Sequence, residues 1–239
     1  MSNETPSITK ISLFSTIAVK GALDSAVVPA YEKSSGVQVD HTFDSTIALL
    51  RRIEQGARPD VMVGTAESFE GLVSTGVIDG PSMTPIARTG VGIAVLRGEP
   101  KPDITTVEAM VNTLLNARSV AYSQSGASGV YFTQMVHKPG IADEITRRAT
   151  VVEKGFVARA VVDGRADLAV QSLSELQSVP EVDIIGGLPE TVQRYTVLCA
   201  GLGVHATEEP EAINLLRALA GDVAKAAYVC AGLEAPTSA

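Results

Sequence analysis

The 239-residue chain has no tryptophan, five Phe, five Tyr, three His and two Cys. Without aromatic bulk, the core must be built from Val, Ile, Leu and Ala, and the 45% hydrophobic content is enough for one large domain or two small ones. Basic residues are also in deficit: 19 Lys and Arg against 27 Asp and Glu give a formal charge of −8. That balance argues against a nucleic-acid partner. It leaves room for a small anion, because backbone N–H groups and helix dipoles act locally. No apolar run approaches the roughly 18 residues that a membrane-spanning helix requires. Cys199 and Cys230 each open a Cys-Ala-Gly-Leu tetrapeptide and read as reduced core residues, without metal-ligand spacing. No metal site and no cofactor is expected. A Gly-x-Ser-x-Gly elbow and a Walker-type phosphate loop are both lacking, which disfavours a Ser-His-Asp hydrolase and a nucleotide site.

Met1 to Lys10 is polar and lacks a basic segment followed by an apolar one and a small-residue cleavage site. The expected location is cytoplasmic, or periplasmic if a signal peptide has been removed.

What is present is a recurring junction. Apolar runs at Ile8–Phe14, Val37–Phe43 and Pro59–Val63 read as strands, each followed by a pair of small residues carrying at least one hydroxyl and then a helical pattern. The pairs are Ser15-Thr16, Ser45-Thr46 and Gly64-Thr65. The helices are expected over Ala18–Ser34, with a kink or an imperfect last turn at Pro29, then over Ile47–Gln55 and Glu67–Ser74. A fourth junction follows the strand Ser119–Tyr122: Ser125-Gly126-Ala127-Ser128-Gly129, with a helix from about Val130 to His137. Each hydroxyl can serve as an ordinary helix cap. In a parallel α/β sheet, however, successive strand ends line one edge, and ligands bind at that edge. Unpaired first-turn N–H groups and Ser/Thr hydroxyls there form an anion-binding rim.

Further strands are expected at Gly90–Leu96, Thr150–Val152, Asp167–Gln171, Asp183–Gly186 and Arg194–Cys199, and helices at Val107–Ala117, Asp143–Arg148, Phe156–Asp163 and Glu209–Val229. Ser174 reads as the cap of a short turn after Gln171-Ser172.

Several stretches resemble one family. Phe43-Asp44-Ser45-Thr46, with Arg52-Ile53-Glu54-Gln55-Gly56-Ala57-Arg58-Pro59-Asp60-Val61, is similar to the second-helix region of molybdate-type solute-binding proteins of ABC transporters. Ser125 to Phe132 and Gly164-Arg165-Ala166-Asp167-Leu168 resemble a divergent branch that includes an aconitate isomerase. The resemblance implies an α/β fold of the type II periplasmic-binding-protein kind, with two lobes and a ligand cleft between them. Residues 1–88 and 196–239 would form lobe I, and residues 89–195 would form an inserted lobe II. The rim would comprise Ser15, Thr16, Ser45, Thr46, Thr65, Ser125, Gly126, Ala127 and Ser128, with Gln171, Ser172 and the cation Arg88. Molybdate binders place a tyrosine where this chain has Gln171-Ser172, so planar carboxylates are expected in place of a tetrahedral oxyanion.

Two functions remain open. One is an isomerase shifting a proton along an unsaturated di- or tricarboxylate, with Ser15, Ser128 and His41 as catalytic candidates and no base assigned. The other is a binding protein that delivers a carboxylate or molybdate-like oxyanion to a permease.

Overall fold

A computed structural model describes residues 10–236. The expected start of the first strand, at Ile8, lies outside these residues. Strand β1 (Lys10–Thr16) leads into a helical run that begins with a 3₁₀ turn at Ile17–Val19 and continues through α1 (Lys20–Ala22), a π-turn (Leu23–Val27) and α2 (Val28–Ser35). The irregularity expected at Pro29 takes the form of this upstream π-turn. Pro29 has no N–H to offer Ser25, so the ladder widens one turn earlier. Gly36, at φ 72°, ends the helix in the left-handed conformation that suits glycine.

Strand β2 (Gln38–Asp44), α3 (Thr46–Glu54), β3 (Val61–Thr65) and α4 (Ala66–Ser74) repeat the strand–hydroxyl–helix pattern. Strand β4 (Thr84–Leu96) is 13 residues long and starts six residues before the expected position. Then come α5 (Val107–Asn116), β5 (Val120–Ser123), α6 (Ala127–Met135), α7 (Ala142–Arg147), β6 (Thr150–Val152), α8 (Arg159–Val162), β7 (Leu168–Ser172), α9 (Leu173–Gln177), β8 (Val182–Gly187) and β9 (Tyr195–Leu202). Two helices, α10 (Pro210–Ala220) and α11 (Asp222–Cys230), replace the single long helix expected from Glu209. The break falls at Gly221, whose extended backbone (ψ 174°) interrupts the helical ladder.

The strands form one nine-stranded sheet in the order β2-β1-β3-β9-β4-β7-β5-β6, with β8 also on β4. β1 runs parallel to β2 and β3, with Thr16 level with Asp44. β5 runs parallel to β6 and β7. Between these parallel sets, β4 is antiparallel to β9 along Thr84–Gly90, and to β7 and β8 from Val91 onwards. One continuous strand therefore joins the two halves of the sheet.

The cores follow the same division. On one side of the first half, Ile11, Leu13, Val61 and Val63 pack beneath α2, α10 and α11. On its other side, Met62 packs with Leu49 and Ile53 of α3 and Phe69 and Leu72 of α4. In the second half, Ile93, Val120 and Val170 meet α5, α6 and α7, while Ala94, Ala121 and Ala169 meet α8 and α9. Each half is thus a helix–sheet–helix sandwich, which explains why β3 and β7 are buried along their whole length. Cys199 is buried in the Phe69 cluster, as expected, but Cys230 is exposed at the end of α11.

Candidate functional site

Parallel strands that begin together end together. The carboxyl ends of β1, β2 and β3 place Thr16, Asp44 and Thr65 on one edge, and those of β5 and β7 place Ser123 and Ser172 on the facing edge. All five residues line one cavity between the two halves. The space in it open to the centre of a water molecule is about 30 Å³. An adjoining groove of about 380 Å³ shares Thr46, Thr65, Ser125, Ala127 and Thr196 with it and adds Ser128, Tyr131 and Arg194.

Four helices begin at this cavity, because each follows a strand that ends there. Ser45 caps α3, its hydroxyl accepting from the Ala48 N–H at 3.3 Å. Thr65 caps α4 and accepts from the Ser68 N–H at 3.3 Å. The N-cap position of α6 is Gly126, and that of α9 is Ser172. Their dipoles add positive potential where the lining has one cation, Lys154. Helix α6 starts three residues earlier than its sequence pattern indicates, so Ser128 lies inside its first turn and not in the loop. The Ser123 hydroxyl organises the preceding loop by accepting from the Ser125 and Gly126 N–H groups at 3.3 and 3.0 Å. Gly129 lets α6 sit directly on β5: a Cβ there would come within 1.9 Å of the Ser123 carbonyl oxygen.

Of the residues expected at the rim, Thr16, Ser45, Thr46, Thr65, Ser125, Gly126, Ala127, Gln171 and Ser172 line the cavity, and Ser128 lines the groove. Three differ. Ser15 is fully buried beneath Thr16 and its hydroxyl donates to the Thr16 carbonyl at 3.1 Å, because alternation along β1 turns it away from its neighbour's face. Arg88 is held by Glu234: Nε and Nη2 both donate to Oε2, at 2.9 and 2.7 Å, and the guanidinium lies 4.3 Å from the Tyr195 ring centroid. It lines neither cavity nor groove. His41 is exposed on β2 at the sheet edge, against Phe43, and is likewise outside both. His205 pairs with Asp60 beside Ser12, near the opposite end of β1. Gln171 is spent on architecture: its Oε1 accepts from the Val157 N–H at 2.8 Å and its Nε2 donates to Gly155 O at 3.4 Å, fixing the loop that carries Lys154.

Sequence reasoning missed Thr89, Ser123, Lys154, Thr196 and above all Glu175. Three carboxylates line the cavity. Asp44 faces Lys154 at 3.5 Å and Arg52 at 3.8 Å, and accepts from the Ser45 N–H at 2.9 Å. Glu153 is exposed. Glu175 is only 7% exposed and has no ion-pair partner among the described residues. Burial pushes its carboxyl up to about 7, against opposing hydrogen bonds from the Ser172 and Gln171 side chains and the Ser172 backbone. The cap of α9 is therefore built differently from the expectation at Ser174, which is buried, its Oγ 3.5 Å from Thr89 Oγ1. Ser172-Leu173-Ser174-Glu175 has the capping-box spacing, with the N3 glutamate returning to the N-cap residue. That spacing was the available sequence signal.

Among the described residues, no group of three or more His, Cys, Asp or Glu could hold a metal ion, and no helix is long and apolar enough to cross a membrane. The family described as "Bacterial extracellular solute-binding protein" matches residues 11–234, and the chain belongs to it. It is 34% identical over 227 residues to an aconitate isomerase from Pseudomonas sp, covering 92% of this chain and 86% of that protein. It is 24% identical over 190 residues to the molybdate-binding protein ModA of Escherichia coli (strain K12), covering 76% and 72% respectively. The solved periplasmic molybdate-binding protein of Azotobacter vinelandii superposes with a TM-score of 0.78 at 21% identity, covering 95% of this chain and all of that one. The two-lobed fold is that of these binding proteins.

Proposed function

We propose that this member of the solute-binding family is an isomerase of a small unsaturated di- or tricarboxylic acid, shifting an allylic proton as aconitate isomerisation requires. One observation carries the reading: a chain 34% identical to an aconitate isomerase places four helix N-termini and a ring of neutral hydroxyls around one inter-lobe cavity. The lobes are residues 1–88 with 196–239, and 89–195. The hydrophobic clusters support this division, since Ile86 and Leu198 belong to one set and Val91 and Leu188 to the other.

The chemistry follows from the lining. A polycarboxylate needs donors that match its oxygens without adding acceptors. Ser45, Thr46, Thr65 and Ser125, with the first-turn N–H groups of α3, α4 and α6, supply them, and Lys154 supplies a formal charge. Removal of a proton from the carbon next to the double bond spreads negative charge into a neighbouring carboxylate. Fixed dipoles aimed there stabilise that charge more than they stabilise the ground state, and this difference lowers the barrier. The cavity opens into the groove of about 380 Å³, and closure of the lobes on an acid bound there removes water from the reacting carbons.

The test is incubation with cis- or trans-aconitate and related unsaturated acids in deuterated water. Interconversion with deuterium uptake is expected. The likeness to ModA supports a second reading, a receptor delivering an anion to a permease. Tight binding of an acid or of molybdate, with no turnover of any unsaturated acid, would establish that reading instead.

A further inference from the structure

We propose that Glu175 is the catalytic base of the cleft, taking the allylic proton from one carbon of the bound acid and returning it to the other. The inference rests on the isomerase reading above.

Geometry selects Glu175 from the three carboxylates of the cavity. Asp44 is committed to Lys154 and Arg52, and its oxygen already accepts from Ser45. Glu153 is exposed at the rim. Asp44 and Glu175 are both buried in the lining, and of the two only Glu175, on the first turn of α9 directly after β7, has no ion-pair partner among the described residues. The charged groups around it are few. Asp44, Glu153 and Lys154 share its cavity. The segment Ile17–Val19 and strand β7 carry none. On β4, Arg88 is taken by Glu234, and on β8, Asp183 faces Arg97 and Lys101. Among the described residues, nothing cationic therefore locks the Glu175 carboxyl in its ionised form, and burial brings its ionisation to about 7.

A carboxyl poised there can both accept and donate near neutral pH. The step balances without a co-reactant. The C–H bond of the methylene breaks, its proton goes to a Glu175 carboxylate oxygen, and the electron pair moves into the allylic system. The double bond shifts by one carbon as the proton is delivered from Glu175 to the former vinyl carbon. No electron leaves or enters.

Glu175 also has a purely structural role to offer, because its carboxyl accepts from the Ser172 N–H and hydroxyl at the N-cap of α9, one half of a capping box. The two roles separate chemically: glutamine serves in a capping box as glutamate does, but it cannot take a proton. Wild-type protein, Glu175→Gln and Glu175→Asp are compared by aconitate interconversion, by calorimetric binding of trans-aconitate and by thermal unfolding. Expected are a folded Glu175→Gln protein that still binds, with turnover lower by about 10²-fold or more. Glu175→Asp should keep part of the activity, and wild-type turnover should rise as pH passes through about 7. Should the glutamine variant not fold, the aspartate variant and the wild-type pH profile decide: a rate flat from pH 6 to pH 8 overturns the assignment. A folded Glu175→Gln protein with wild-type turnover overturns it while leaving the isomerase reading intact. Wild-type protein that binds these acids and turns over none of them overturns both.

Discussion

The Ser125 hydroxyl donates to the Ser45 hydroxyl at 3.2 Å, joining the loop before α6 to the cap of α3 across the cleft. The two residues are 80 positions apart and belong to the two halves of the sheet, so the bond ties those halves together. A double-mutant cycle of Ser45→Ala and Ser125→Ala should give a coupling of about 0.5–1.5 kcal/mol in unfolding free energy, the range for one hydrogen bond. Ser45→Ala alone should cost about 1 kcal/mol more than Ser125→Ala, since it also removes the α3 cap. Zero coupling in chemical denaturation would mean that the contact is not populated in solution.

Glu175 makes the protein less stable than it could be. Its folded-state ionisation, at about 7, lies above the ordinary 4.5, so between these pH values the folded protein holds a proton that the unfolded chain has released. Stability should therefore decline from pH 4.5 to about pH 7 and level off above, by about 3 kcal/mol in all. Glu175→Gln should flatten this slope and raise the melting temperature at pH 8. Denaturant unfolding at several pH values checks it, and an unchanged slope in the variant would remove Glu175 as its origin.

Gly129→Ala should be severe for its size. The added methyl meets the Ser123 carbonyl at 1.9 Å, which is backbone and cannot swing aside. The helix must lift off β5, at a cost of about 1–3 kcal/mol or more. Because α6 opens the anion rim, ligand affinity should fall along with thermal stability. A variant with unchanged melting temperature would show that the α6–β5 contact is looser than described.

Arg88→Ala should leave ligand affinity unchanged within calorimetric error. The guanidinium already holds Glu234, and the same two residues exchange backbone hydrogen bonds at 2.9 Å, pinning the C-terminal segment to β4. The loss should appear as about 1 kcal/mol or less of stability, given the partial exposure of the pair. A large drop in affinity would place Arg88 at the ligand.

Lys154→Ala should weaken carboxylate binding about tenfold, the equivalent of about 1.4 kcal/mol, and reduce its salt dependence. Among the described residues, Lys154 is the one cation lining the cavity, and it also faces Asp44 across the cleft. Calorimetry at two salt concentrations reads both effects. Unaltered affinity would leave the helix N-termini as the whole source of positive potential.

Much of the fold was legible locally. The junctions at Ser45-Thr46 and Gly64-Thr65 lie at the expected strand ends because apolar runs, hydroxyl caps and terminating glycines all act within a few residues. Their role as caps was legible too, and Ser45, Thr46 and Thr65 line the cavity. The misreadings came where a residue's partner is distant in sequence. Arg88 was expected at the rim but is held by Glu234, 146 residues away, and Ser15 was expected there but turns to a buried face set by its neighbours in the sheet. Lys154 has no sequence signal of its own: the loop that Gln171 holds brings it opposite Asp44.

By itself the sequence determined the element order, the hydroxyl-rich strand ends and the family resemblance, since periodicity, caps and turns depend on near neighbours. Tertiary structure alone decided which of those residues face one another. It made Glu175, a glutamate with capping-box spacing in the chain, into a buried carboxyl without a cation beside it. Desolvation is a property of everything packed around a group, and no stretch of sequence carries it.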